Sequence, residues 1–290
     1  MRFTRTLLTA ALLTNLFLPG WADEGMWLMN SIPKERIANK YGFKVEESWV
    51  QHLMHSSVRF NNGGSGSIVS PDGLVITNHH IGADSLQKLS TAEQDLVKNG
   101  FYAPTKEREL RCPDLELNVL QSIEDVTERI DASVKGLAPD AAATARRTAM
   151  STIEKQQSEK TGLRCEIVTL YQGGAYHLYR YKKFTDVRLV MAPHYAAAFF
   201  GGDEDNFEYP RYNFDVCFFR IYENNQPYKS PDYLRWSKKG VQSGDLVFVS
   251  GHPGRTQRLD TYRRLLHLRD YNLPLRLKLL EDQHHILGEF

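Results

Sequence analysis

The feature that most restricts what this chain can fold into is the run from Gly63 to His80: Gly-Gly-Ser-Gly-Ser-Ile-Val-Ser-Pro-Asp-Gly-Leu-Val-Ile-Thr-Asn-His-His. Two short stretches of strand-forming residues, 66–70 and 74–77, flank Pro71-Asp72-Gly73. Asp-Gly between alternating apolar stretches is a strong hairpin signal, because glycine takes the positive φ that a tight turn demands. The hairpin sends two histidines to the far end of its second strand. A histidine held rigidly there has an intrinsic pKa that suits proton transfer near neutrality. Without further context, His79 and His80 would read as ordinary surface or hydrogen-bonded histidines.

Further β-like stretches lie at 116–120, 164–171, 187–192, 216–222 and 246–250, all rich in apolar and β-branched residues. Two helical stretches interrupt them. Residues 125–159 carry an alanine-rich centre between charged flanks, which predicts an exposed helical hairpin. From Thr261, Tyr262, Leu265, Leu266, Leu268, Leu275, Leu279 and Leu280 recur at helical spacing, and no stop signal appears before Phe290. The fold class expected is therefore mainly β with helical insertions, in a chain that reads as incomplete.

Arg2 and Arg5 precede an apolar run at 7–18, and small residues follow at Gly20 and Ala22. This predicts a secretory signal peptide over 1–22 rather than an uncleaved anchor, and hence a periplasmic or secreted protein. No later stretch reaches the ~20 apolar residues of a membrane span. Lys+Arg number 36 against 35 Asp+Glu, a balance that argues against nucleic acid as a partner. Of the three cysteines, Cys112 and Cys165 each follow an arginine at an apparent strand edge and are expected to pair. Cys217, within an apolar run, is expected to be a buried thiol. None has metal-ligand spacing, so neither a metal nor any other cofactor is expected.

A second chemical segment runs from Phe199 to Arg220: FFGGDEDNFEYPRYNFDVCFFR. Asp215 heads an apolar strand, where a carboxylate is partly buried and can orient a histidine. Asp203 and Asp205 fall in a Gly-rich acidic loop that lacks calcium-loop spacing and reads as solvated. Ser65 precedes His80 by fifteen residues on the paired strand, so it reads as structural.

The hairpin resembles the first barrel of trypsin-like peptidases, with Thr77 opening a Thr-x-x-His in which His80 is the general base. Taken with Gly25-Met26-Trp27, the 199–220 segment and Gly251-His252-Pro253-Gly254-Arg255-Thr256, the chain resembles the S46 family of bacterial dipeptidyl peptidases in collinear order. That resemblance implies a chymotrypsin-like double β-barrel over 23–256, comprising the first barrel with a helical insertion at about 125–160 and the start of the second. It also implies the beginning of an inserted helical domain over 257–290. It makes His80 and Asp215 catalytic, assigns the substrate's free N-terminus to Asn206, and puts Phe207 where many members carry Trp. The partners implied are peptides with a free N-terminus, and dimers are usual. The nucleophilic serine is expected beyond Phe290, since Ser230, Ser237, Ser243 and Ser250 lack a suitable context. An exported trypsin-like endopeptidase and an inactive peptide-binding module are the alternatives.

Overall fold

Antiparallel pairing of short strands organises the computed structural model, which describes residues 25–202, 206, 208–253 and 260–290. The expected signal segment, Asp203, Asp205 and Phe207 lie outside the described residues. Two helices come first among the described residues, α1 (Lys34–Tyr41) and α2 (Glu47–Ser56). β1 (Ser57–Phe60), β2 (Ser65–Ile68) and β3 (Leu74–Thr77) follow as a meander, then α3 (His79–Leu89) and α4 (Leu96–Asn99). After β4 (Phe101–Tyr102), β5 (Leu110–Arg111) and β6 (Leu117–Asp125) come the paired helices α5 (Thr127–Val134) and α6 (Pro139–Thr161). β7 (Arg164–Leu170), β8 (Ala175–Phe184), β9 (Asp186–Ala192), α7 (Tyr195–Ala198), β10 (Cys217–Glu223) and β11 (Gln226–Pro227) complete the first compact unit, which runs to His252.

These strands form one eleven-stranded sheet ordered β4-β9-β10-β3-β2-β1-β6-β8-β7, with β11 on β10 and β5 on β9. The main core lies among its central strands and includes Val58, Phe60, Val75, Leu117, Leu189 and Phe219. A separate cluster of Val126, Ile130, Ile153, Ile167 and Leu178 seats the helical pair on β7 and β8. Of the 23 residues of α6 only Ile153 is buried, which accounts for the charged and alanine-rich surface read in the sequence.

The Pro-Asp-Gly turn depends on glycine in two ways. Gly73 has φ +73°, and a Cβ there would lie 3.0 Å from the Tyr228 carbonyl. A side chain at this position would carry both backbone strain and a clash.

The second unit, from Pro253, has α8 (Tyr262–His267), a π-helical stretch (Leu268–Asn272) and α9 (Leu273–Gly288). The Thr261 side chain caps α8 by accepting the Arg264 N–H. No helix among the described residues is long and apolar enough to cross a membrane.

Three expectations are corrected. The cysteines are all free. Cys112 belongs to the main core, whereas Cys165 packs against the helical cluster, so the two serve different interiors. His80 does not end a strand: β3 stops at Thr77, and His80 is the second residue of α3. Residues 246–250 form no strand. Instead Phe248 packs on Phe43 and Trp49 at ring distances of 5.5 and 4.9 Å, while Val249 is exposed. Side chains rather than a backbone ladder hold this segment.

That segment ends on a half-buried histidine. The His252 N–H donates to Ser65 Oγ at 2.8 Å, and the Ser57 hydroxyl donates to Ser250 Oγ at 2.9 Å. Burial, reinforced by the Arg59 charge, pushes the His252 pKa from 6.5 down to about 4. The ring is therefore neutral in the fold, whereas in the unfolded chain it takes a proton near its ordinary value. Stability linked to His252 is fully present above pH 6.5 and is lost as pH falls towards 4, about 3 kcal/mol in all. Urea unfolding at pH 7 and pH 4 measures it: His252→Gln should show that much less acid sensitivity than the native protein.

Candidate active site

Strand register brings the chemically suspect residues together. β10 pairs antiparallel with β3, matching Cys217 with Thr77, Phe218 with Ile76, Phe219 with Val75 and Arg220 with Leu74. Asp215 lies two residues before the first of these pairs, and His80 lies three residues after its partner. A slip of one residue would move the carboxylate by about 3.3 Å along the strand and break the contact. Gly82 allows α3 to lie close to β10, since a Cβ there would stand 2.7 Å from Cys217 Sγ.

His80 Nδ1 lies 2.8 Å from Asp215 Oδ2. The His80 backbone N–H donates to Oδ1 of the same carboxylate at 3.1 Å. A carboxylate only accepts, so the contact selects the imidazole tautomer protonated at Nδ1 and leaves the Nε2 lone pair free. Nε2 has no hydrogen-bond partner among the described residues, and the side chain is 65% exposed against 5% for Asp215. The pair thus has a solvent-facing basic nitrogen backed by a buried anion. Burial alone would raise the Asp215 pKa; the backbone and ring hydrogen bonds from His80, joined by Arg211, outweigh it and hold the carboxyl below its ordinary value.

Two neighbours of the carboxylate went unnoticed in the sequence. Both Arg211 Nη atoms donate to Asp215 Oδ2 at 3.1 Å. Asn78 Nδ2 donates to the Asp215 carbonyl at 3.1 Å and to Oδ2 at 3.3 Å. Asn78 stands beside the two histidines and could have been flagged. Arg211 sits in an aperiodic loop and carried no signal beyond its charge.

His79 turns inward. It is buried, its Nε2 lacks a partner, and it hydrogen-bonds the Pro193 backbone; burial pushes its pKa below the ordinary value. It cannot serve as a solvent-facing base. Ser65 is committed to Thr77 and His252, accepting from the first through its carbonyl and from the second through its hydroxyl. Asn206 is half-buried, and Phe207 lies outside the described residues. Among the described residues no group of three or more His, Cys, Asp or Glu side chains is arranged to hold a metal ion. A cleft of about 320 Å³ between α2 and β6, lined by Met29, Val50, Met54, His55 and Gln121, excludes both His80 and Asp215.

The arrangement is one that peptidases of the histidine–carboxylate type use to draw a proton from a nucleophile. The sequence signature of the family Peptidase S46 matches residues 22–290, and the chain belongs to that family. It is 32% identical over 277 residues to dipeptidyl-peptidase 7 of Phocaeicola vulgatus, covering 87% of this chain and 38% of that protein. To the Asp/Glu-specific dipeptidyl-peptidase of Porphyromonas endodontalis it is 33% identical, covering 90% of this chain and 39% of that protein. The crystal structure of Porphyromonas endodontalis DPP11 in complex with the dipeptide Arg-Glu superposes with TM-score 0.66 at 30% identity, covering 77% of this chain and 36% of that one. The chain thus spans little more than a third of the length of these relatives.

Proposed function

We propose that the protein is a serine-type dipeptidyl peptidase that removes dipeptides from the free N-termini of peptides. The observation that carries this reading is the 2.8 Å contact between His80 Nδ1 and Asp215 Oδ2, in a chain of the S46 family. His80 Nε2 accepts the hydroxyl proton of the serine as its oxygen attacks the scissile carbonyl, then returns the proton to the leaving amine. Water repeats the cycle on the acyl-enzyme. Asp215 fixes the tautomer and stabilises the transient imidazolium. We place the serine itself in sequence outside these residues.

The finer architecture we propose is a double β-barrel over 23–256, followed by the start of an inserted helical domain over 257–290. Residues 1–22 direct export to the periplasm or the medium. Dipeptide removal requires a group that measures from the substrate's ammonium. Asn206, nine residues before Asp215, offers an amide oxygen for it, and the Phe207 ring offers an apolar surface for the adjoining backbone.

Cleavage of one peptide with a free and with an acetylated N-terminus, followed by mass spectrometry with the complete enzyme, tests this reading. Dipeptides should be released from the free peptide, and acetylation should slow release about 100-fold through loss of a charge-assisted hydrogen bond. Equal rates on both peptides would reject exopeptidase action.

A further inference from the structure

Asp215 Oδ2 is over-subscribed. A carboxylate oxygen offers two lone pairs, yet four N–H-bearing atoms lie within 3.3 Å of this one: His80 Nδ1, both Arg211 Nη atoms and Asn78 Nδ2. Oδ1, by contrast, receives only the His80 backbone N–H among the described residues. The guanidinium therefore does not share the carboxylate side by side with the imidazole. It competes for the same atom.

We infer that Arg211 is a positioning residue that sets the basicity of His80 by partly neutralising the carboxylate behind it. The inference rests on the proposed role of His80 and adds to it a determinant of the pH range in which the enzyme works. With Asp215 alone behind it, an imidazolium at His80 would face a full negative charge. With Arg211 on Oδ2, the pair behind the ring is close to neutral overall, and proton uptake by His80 gains less from it. The guanidinium thus opposes positive charge on the ring, while the hydrogen bond that fixes its tautomer is retained. Arg211 also pins Oδ2 from the loop side, so the carboxylate cannot turn away when the ring moves.

Among the described residues, few other groups bear on this pair. His79, on the same helix, is buried with its pKa lowered, and its neighbours include the charges of both Asp215 and His80. Cys217, at the start of β10, is a buried thiol whose ionisation is strongly disfavoured, so it adds no charge. Among the described residues, Arg211 is the Lys or Arg side chain in direct contact with the carboxylate. Its side chain is 32% exposed, which moderates its effect.

The test is a titration of the His80 ring by long-range 1H–15N NMR, with His80→Gln to assign the signal, alongside the pH dependence of kcat/KM for the complete enzyme. Arg211→Met should raise the His80 midpoint by roughly half a pH unit to one unit. It should move the acid limb of the rate profile up by the same amount. Arg211→Lys, which keeps the charge, should restore most of both, and melting curves of the two variants establish that each is folded. A midpoint and acid limb that stay put or move down in folded Arg211→Met would overturn the inference. If His80→Gln itself leaves dipeptide release intact, the proposed function fails, whatever Arg211 does. If His80→Gln abolishes release but Arg211→Met moves neither the midpoint nor the limb, only the inference fails.

Discussion

Asp215→Asn is expected to lower kcat by on the order of 10³–10⁴-fold with little change in KM. The reason lies in the donor pattern around the carboxylate. Oδ2 faces the His80 ring, Arg211 and Asn78, and Oδ1 faces the His80 backbone N–H. An asparagine must place its NH2 group towards one of these sets of donors. Turned towards the ring, the NH2 drives His80 into the opposite tautomer and removes the free lone pair at Nε2. Turned the other way, it meets the His80 N–H at the start of α3. Either orientation also leaves a poorly matched polar group in a site where Asp215 is only 5% exposed, so a stability loss of about 1–3 kcal/mol should accompany the loss of rate. Steady-state release of dipeptide by the complete enzyme measures the first effect, and urea unfolding the second. Retention of more than a tenth of the native kcat would mean that Asp215 does not orient the base.

Glu109→Ala should cost about 1–3 kcal/mol of stability, because it takes a buried acceptor from Arg220 and Tyr222 and leaves Arg220 only its partly exposed partner Asp72. The Glu109 side chain is 2% exposed and accepts from Arg220 Nε and from the Tyr222 hydroxyl, each at 2.8 Å. Arg220 also reaches Asp72 Oδ1 at 3.0 Å, and Lys106 closes the network on Asp72 Oδ2 at 2.6 Å. Burial, with the hydrogen bond to Glu109, raises the Tyr222 pKa to about 12. The network ties the Pro-Asp-Gly turn to β10, at the end of the β3–β10 ladder opposite His80 and Asp215, and so helps to hold the register on which the site depends. Chemical denaturation should show the loss. Glu109→Leu combined with Arg220→Met should recover much of it, since a buried ion pair can often be replaced by apolar packing. If Glu109→Ala costs less than about 1 kcal/mol, the network does not hold the register.

The parts of this picture that could be read from sequence are those with a local chemical signature. Asp72-Gly73 between apolar stretches announced the hairpin, and the alanine-rich run announced the paired helices. A carboxylate heading Val-Cys-Phe-Phe singled out Asp215 as a residue to set beside a histidine. Features that depend on long-range packing were not legible. Tyr176, Tyr179 and Tyr181 read as strand-and-turn packing, but nothing local marks the full ten residues of β8 on which they lie. Leu-Val-Phe-Val at 246–249 has strand composition and no ladder; Phe248 goes to an aromatic cluster instead. Arg211 is four residues before Asp215 in sequence, but residues 211–216 are not helical, so helical i,i+4 reasoning gave no cause to pair them. The two small helices before β1 were missed because their short amphipathic pattern, around Ile37, Val50 and Met54, is too brief to stand out.

If His80 is the proton acceptor for a serine nucleophile, the reactivity of that serine must depend on the imidazole. The rate of covalent labelling by a fluorophosphonate probe, in the complete enzyme and in folded His80→Gln, tests it most directly. A labelled serine lying outside these 290 residues is expected, with labelling slowed at least ~10³-fold by the substitution. Equally fast labelling of both proteins would contradict it.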